Sequence, residues 1–310
     1  MGRGTGFGKT ILFGEHFVVY GLPAVAAAFG KKTIAEVEDS EQLSFTDNRP
    51  QTPGYKERKR DEINRQLDLL LDYFKIPRDG GSISITLSGD LVCASGVGAS
   101  AALAASIVRA ISDHKNLGLS DEEVNDAAYK AEEAGSGTPS GIDNTCSVYG
   151  GFILFTKNLE GGPNDIKTLS VDKPLDIVMA SSGITQTTKE VVDDVRRLRG
   201  ENPTQYERIW SDYRALVDDG VEAIKEGNVE RLGELMSGNQ RLLAEMTLSC
   251  PQVEEIISAA TSAGALGAKL TGTGRGGSVI ALTPGEALQD KVSKAIEDKG
   301  YTTLKTSIGI

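Results

Sequence analysis

The sequence predicts an α+β chain of two domains. Strand-like and helix-like segments are mixed without the strict alternation of a doubly wound sheet. A length of 310 residues suffices for two domains of ordinary size. A polar stretch bearing Gly and Pro at 157–174 offers a boundary near the middle, dividing the chain into residues 1–165 and 166–310.

Each element has a reason. Residues 10–13, 17–20 and 33–37 are rich in β-branched and aromatic side chains and read as strands. Residues 45–54 hold Pro50 and Pro53 among polar residues and read as a loop. Over 56–74, Ile63, Leu67, Leu70, Leu71 and Phe74 recur at three and four, which is helical spacing. Residues 82–87 alternate Ile83, Ile85 and Leu87 as a strand. At 93–114 a glycine-bearing turn runs into an alanine-rich helix, and Ser120 to Glu123 spell a capping box for a second helix ending near Gly135. A polar turn at 135–144 precedes a strand at 151–156. Beyond the boundary come a strand at 176–180 and helices over 187–198, 205–226, 228–247 and 251–263. A strand–helix–strand set at 277–283, 285–299 and 301–307 closes the chain.

Composition narrows the function. Hydrophobic content of 39% and charged content of 25% describe a globular chain with a substantial core. No apolar run is long enough for a membrane span, and the N-terminus lacks the apolar segment of a secretory signal. Cys93, Cys146 and Cys250 are odd in number and far apart, which suits a reducing, cytoplasmic setting and forms no metal-binding pattern. Only His16 and His114 are present, too few for a histidine-based metal site. A formal net charge of −11 argues against a nucleic-acid partner. The basic run Lys56 to Arg60 is interrupted by Glu57 and reads as a solvated helix start.

Glycine marks the places where backbone must approach something. Gly8-Lys9-Thr10 has the ending of a P-loop, but Arg3 stands where the first glycine is required, and a strand follows instead of a helix. Gly96-Val97-Gly98 lies directly before a helix near Ala99-Ser100, where backbone N–H groups and the helix N-terminus suit an anion. The alternative is a tight turn with a serine cap. Asp143, in "PSGIDN", is either a turn residue or a reactive carboxylate, and Glu132 lies late in an amphipathic helix beside Glu133. "KLTGTGRGGSV", residues 269–279, spells the dinucleotide G-x-G-x-x-G, yet continues as a strand where that motif requires a helix.

Together these stretches resemble the GHMP kinase superfamily, and within it the mevalonate kinases most. "GKTILFGEHFVVYG" is similar to their N-terminal motif, "SGVGASAAL" to the phosphate loop, "PSGIDN" to P-S-G-x-D-N, and "KLTGTGRGGSV" to the C-terminal glycine motif. The resemblance spans nearly the whole chain. It implies an N-terminal domain like domain 2 of ribosomal protein S5 and a ferredoxin-like C-terminal domain. The implied activity is transfer of phosphate from ATP to the 5-hydroxyl of mevalonate in isoprenoid synthesis, with Mg2+, in the cytoplasm. A homodimer follows by analogy. A kinase for a phosphorylated mevalonate or another small hydroxy acid, and a catalytically silent sensor on the same fold, are the alternatives. Carried over by motif, Asp143 is the base with Lys9 beside it, and Ser100 and Glu132 are magnesium ligands. Ser95, Gly96, Val97, Gly98, Ala99 and Ser100 cradle the triphosphate. Glu15, His16 and Thr188 line the acceptor pocket, and Gly272, Gly274, Arg275 and Gly276 form a supporting glycine loop.

Three departures stand out. Ala99 replaces the first serine of the usual pair, Cys93-Ala94 replaces the usual segment with Pro, and Arg275 interrupts the run of glycines. An arginine there either binds phosphates through charge-assisted hydrogen bonds or leaves the loop for solvent.

Overall fold

The computed structural model describes residues 1–94, 96–136, 139–169, 171 and 173–310. The chain forms two compact units, and neither is continuous in sequence. The first comprises Met1–Lys9 and Ala28–Gly150, the second Thr10–Ala27 and Gly151–Ile310.

In the first unit, β1 (Gly2–Phe13) contributes its residues up to Lys9, and β2 (Ala24–Gln42) its residues from Ala28 onward. β3 (Ser44–Asp47), α1 (Tyr55–Tyr73), β4 (Asp79–Gly89), α2 (Ala99–His114), α3 (Asp121–Ser136) and α4 (Ile142–Tyr149) follow. β2 pairs antiparallel with β4 from Thr33 opposite Gly89, and β3 pairs parallel with β4. Ala35, Val37, Ile83, Ile85 and Leu87 from these strands share a core with Leu67, Leu70 and Leu71 of α1 and with Leu103, Ile107 and Ile111 of α2. Val124, Ala127 and Ala131 of α3 complete it, so one sheet face carries the helices. The capping box forms: Glu123 Oε2 accepts from the Ser120 N–H at 2.8 Å, and the Glu123 N–H donates to Ser120 Oγ at 3.3 Å.

In the second unit, β5 (Phe152–Thr156) pairs with Ala24–Ala27 and with β6 (Asp165–Leu169). β7 (Leu175–Ser181) leads into α5 (Thr188–Glu201), α6 (Pro203–Glu226), α7 (Val229–Glu245) and α8 (Pro251–Ser262). β8 (Gly267–Thr271), β9 (Ser278–Leu282), α9 (Glu286–Glu297) and β10 (Thr302–Ile308) close it. The strand order β10-β7-β9-β8 is antiparallel at each of its pairings. That is the ferredoxin-like arrangement, with four helices in its first crossover and α9 in its second. No helix among the described residues is long and apolar enough to cross a membrane.

Several expectations need correction. Residues 17–20 form a 3-10 turn, not a strand. Their aromatic and β-branched character serves the core, where the Phe17 ring stacks on Tyr213 at 3.7 Å. The loop expected at 45–54 begins inside β3. Asp143 lies in the first turn of α4, a helix of eight residues, too short for periodicity to reveal. The polar stretch after β5 connects two paired strands, and the change from one unit to the other falls earlier, at Gly150–Gly151. β1 starts at Gly2 because alternate glycines let it press on α2: a Cβ on Gly4 would lie 2.3 Å from the Ser106 carbonyl oxygen.

Candidate active site

In the first unit Lys9 is held twice. Its backbone N–H donates to the Val97 carbonyl at 2.9 Å, and its Nζ lies 2.8 Å from Asp143 Oδ1. The two ends of that ion pair differ in access. The Lys9 side chain is 7% exposed and the Asp143 side chain 40%, so the carboxylate is open to a ligand while the ammonium is not. Asp143 also sits at the positive end of α4, directly after Gly141 and Ile142. Nearby Cys146 is buried, and burial pushes its thiol up to about 12, so it is an inert neighbour.

The glycine turn fits against this lysine. Gly98 caps α2 in left-handed backbone at φ 72°, and a Cβ there would lie 2.7 Å from Lys9 Cγ. Gly96 is also left-handed, Val97 is buried, and Ala99 opens the helix with its side chain buried. Ser95 lies outside the described residues. The Ala99 carbonyl accepts from Arg49 Nη1 at 3.0 Å, and Arg49, itself buried, is neutralised by both oxygens of Asp47. The turn is thus anchored through backbone atoms, so the alanine in place of serine removes no contact that fixes it. The first N–H groups of any helix lack intrahelical partners, which leaves this end suited to phosphate oxygens.

At the second residue of α2, Ser100 Oγ donates to Glu132 Oε1 at 2.7 Å. Gln66 Nε2 reaches both, at 2.6 Å from the serine oxygen and 2.7 Å from the carboxylate. Burial pushes the Glu132 carboxyl up to about 7, the Asp143 and Glu62 charges add to this, and the Ser100 and Gln66 hydrogen bonds oppose it. A hydroxyl and a carboxylate in contact are a hard oxygen pair of the kind a magnesium ion takes while keeping several waters. Among the described residues no cluster of three or more His, Cys, Asp or Glu is arranged to hold a metal ion.

The second unit holds the other group. Glu15 is buried and ion-paired with Lys269, whose side chain is fully buried and whose Nζ also donates to the Leu270 carbonyl at 2.6 Å. Burial lowers the Lys269 ammonium, and the Glu15 carboxylate opposes that shift. His16, in left-handed backbone at φ 61°, donates from Nε2 to the Thr273 carbonyl at 2.6 Å. Its pKa is lowered by burial, with the Arg275 charge contributing and the Thr273 hydrogen bond opposing. The ring is therefore neutral at pH 7 with Nδ1 as acceptor, and Nδ1 is buried without a hydrogen-bond partner. Thr188, first residue of α5, joins its hydroxyl to that of Thr273 at 2.8 Å. Thr273 thereby unites His16 and Thr188. Gly272, Gly274 and Gly276, all at positive φ, form the turn from β8 into β9 with Arg275 among them. A strand follows that turn, which excludes the dinucleotide motif. The Arg275 guanidinium does not run free into solvent: Asp194 and Thr247 hold it through one N–H on each of its three nitrogens.

Residues 63–151 match the family described as GHMP kinases N terminal domain, and residues 221–302 the one described as GHMP kinases C terminal. The chain belongs to the GHMP kinase family. As such it is an ATP-dependent kinase, and phosphotransfer of this kind generally requires a divalent metal. A mevalonate kinase of Pyrococcus abyssi is 36% identical over 97% of this chain and 93% of its own length. The crystal structure of L. major mevalonate kinase in complex with R-mevalonate is 37% identical and superposes with a TM-score of 0.94, covering 99% of this chain and 96% of that one. A Streptococcus pneumoniae phosphomevalonate kinase in complex with phosphomevalonate and AMPPNP, 17% identical with a TM-score of 0.75 over 99% of this chain and 100% of that one, shares the fold.

Reading this GHMP kinase by motif missed Gln66, Lys269 and Thr273. Gln66 is a buried polar residue completing the apolar stripe of Ile63, Leu67 and Leu70 on α1, a signal that was available. Lys269 is the charge inside the all-buried run of β8, and its partner lies 254 residues away, so no local pattern reveals the pair.

Proposed function

We propose that this kinase transfers the γ-phosphoryl group of ATP to the 5-hydroxyl of mevalonate, giving 5-phosphomevalonate and ADP. The observation that carries the reading is the Lys9–Asp143 pair, an accessible carboxylate against a buried ammonium beside an anion-suited helix start. The likeness to mevalonate kinases supports the acceptor.

In this reading Asp143 accepts the hydroxyl proton as the oxygen attacks phosphorus. Lys9, ion-paired with Asp143 at 2.8 Å, orients that carboxylate and stabilises negative charge developing on the attacking oxygen. Ser95 to Ser100 bind the triphosphate through backbone N–H groups and the start of α2. Ser100 and Glu132 would hold Mg2+, which when bound neutralises phosphate charge. Glu15, His16 and Thr188 line the acceptor pocket, the His16 ring held in place by the Thr273 carbonyl. Gly272, Gly274, Arg275 and Gly276 support them. The enzyme acts in the cytoplasm and forms a homodimer, which light scattering tests. The case for a phosphorylated acceptor weakens, because Arg275 already commits three of its five N–H donors to Asp194 and Thr247.

The test is ADP formation with mevalonate, its monophosphates, homoserine and galactose offered in turn. Mevalonate alone is expected to support turnover, and preference for a monophosphate would overturn the reading. A second prediction concerns the metal. Gln66→Leu removes the amide that orients both ligands, and the magnesium requirement is expected to rise by about 10- to 100-fold. Because Glu132 must lose its proton to bind a cation, that requirement in the wild type should fall as pH rises through about 7. A requirement independent of both Gln66 and pH would remove Ser100 and Glu132 from the metal site.

A further inference from the structure

We propose that Arg275 is a positioning residue for the acceptor site, clamping α5 and the end of α7 to the glycine loop so that Thr188 and His16 are held in register. The inference rests on the acceptor reading of those two residues.

The backbone comes first. Arg275 stands at φ 54° among four glycines at positive φ. Left-handed backbone is disfavoured for any residue with a Cβ, so side-chain contacts have to offset the local cost. Three donors supply them. Nη1 donates to Asp194 Oδ2 at 2.7 Å, Nε to the Thr247 carbonyl at 3.1 Å and Nη2 to Thr247 Oγ1 at 3.2 Å. The Arg275 backbone N–H is bound as well, to the Leu248 carbonyl. Thr247 is itself left-handed at φ 62°, just beyond the end of α7. Asp194 lies on α5, where its carboxyl is held below the usual range by Arg275 first and Arg197 second.

A planar guanidinium engaged on all three nitrogens fixes direction as well as distance. The glycine loop is thereby tied to α5 at two places: Arg275 to Asp194, and Thr273 to Thr188 at the first residue of the helix. Between them the Thr273 carbonyl holds His16 Nε2. With the clamp released, only backbone hydrogen bonds such as Arg275 N–H to Leu248 hold that end of the loop, and the Thr188 hydroxyl and the His16 ring lose part of their common support. The residue touches neither substrate; it acts through Thr273.

Four variants test this. Arg275→Ala keeps a Cβ in left-handed backbone but deletes the clamp, Arg275→Gly also relieves the backbone, and Asp194→Asn removes the anion alone. With whichever acceptor the wild type turns over, KM for that acceptor is expected to rise about tenfold in both Arg275 variants, with kcat and KM for ATP changed less than about twofold. Arg275→Lys, which keeps one contact, should recover part of the loss. Arg275→Ala and Asp194→Asn should fall short of additivity on the order of fivefold. Without any substrate, amide hydrogen exchange should accelerate at residues 187–191 and 273–277 in Arg275→Ala. A rise in KM for ATP with an unchanged acceptor KM would overturn the proposal in favour of a phosphate contact. Additive effects of positions 194 and 275, or unchanged exchange, would overturn the clamp itself. Turnover of another acceptor by the wild type would instead overturn the mevalonate reading, while the exchange and coupling results would still decide the clamp.

Discussion

Asp143→Asn is expected to lower kcat by about 10²–10⁴-fold, the usual worth of a general base, while ATP still binds. The amide occupies the same space but cannot take the hydroxyl proton. It also leaves the Lys9 ammonium, 7% exposed, without the charge 2.8 Å away. Some reorganisation of Lys9 should follow, adding to the loss. Steady-state turnover with a parallel measurement of nucleotide affinity separates chemistry from binding. Near-normal turnover would remove Asp143 from the role of base. Because the carboxylate stands at the N-terminus of α4, its loss should alter stability only modestly.

The largest stability effect is expected at Lys269→Met. This removes a cation whose side chain is wholly buried against the equally buried Glu15, and it leaves a carboxylate in the interior without that counter-charge. Breaking one side of such a pair typically costs about 3–5 kcal/mol. Denaturant unfolding followed by Trp210 fluorescence reports it, since Trp210 packs edge-on against Phe17, two residues from Glu15. The double variant with Glu15→Leu should regain much of the loss, because two apolar side chains of similar size bury no charge at that place. Equal midpoints for Lys269→Met and the wild type would mean the pair contributes nothing to folding.

The two halves of the sequence were not equally legible. The helix expected at 56–74 matches α1 (Tyr55–Tyr73) closely, because five apolar residues at three-and-four spacing leave little choice. The ferredoxin-like strand order was anticipated only through motif resemblance, since no local pattern encodes which strands are neighbours. The first residues of β1 were missed because glycine is depleted from strands in general, whereas here it lets a helix approach. Three of the four short motifs hold Lys9, His16, Ser100 and Asp143, because glycine, small polar and charged residues at fixed spacing leave a trace in any sequence. What pairs them with their partners left none. Gln66 lies 34 residues from Ser100 and 66 from Glu132, and only folding brings the three together.

The discontinuity of the second unit sets a schedule for the ribosome. Thr10–Ala27 emerges early, yet the structure it belongs to cannot close until the strands of the C-terminal half have been made. Glu15 waits 254 residues for Lys269, on the order of tens of seconds at ordinary rates of synthesis. For much of that interval a carboxylate and the Phe17 ring, both destined for the interior, remain on a nascent chain in which every residue of the first unit, Met1–Lys9 and Ala28–Gly150, has already been made. A fragment starting at Gly151 would never acquire them, so separate expression of the C-terminal half should give an insoluble product that co-expression of the N-terminal portion rescues.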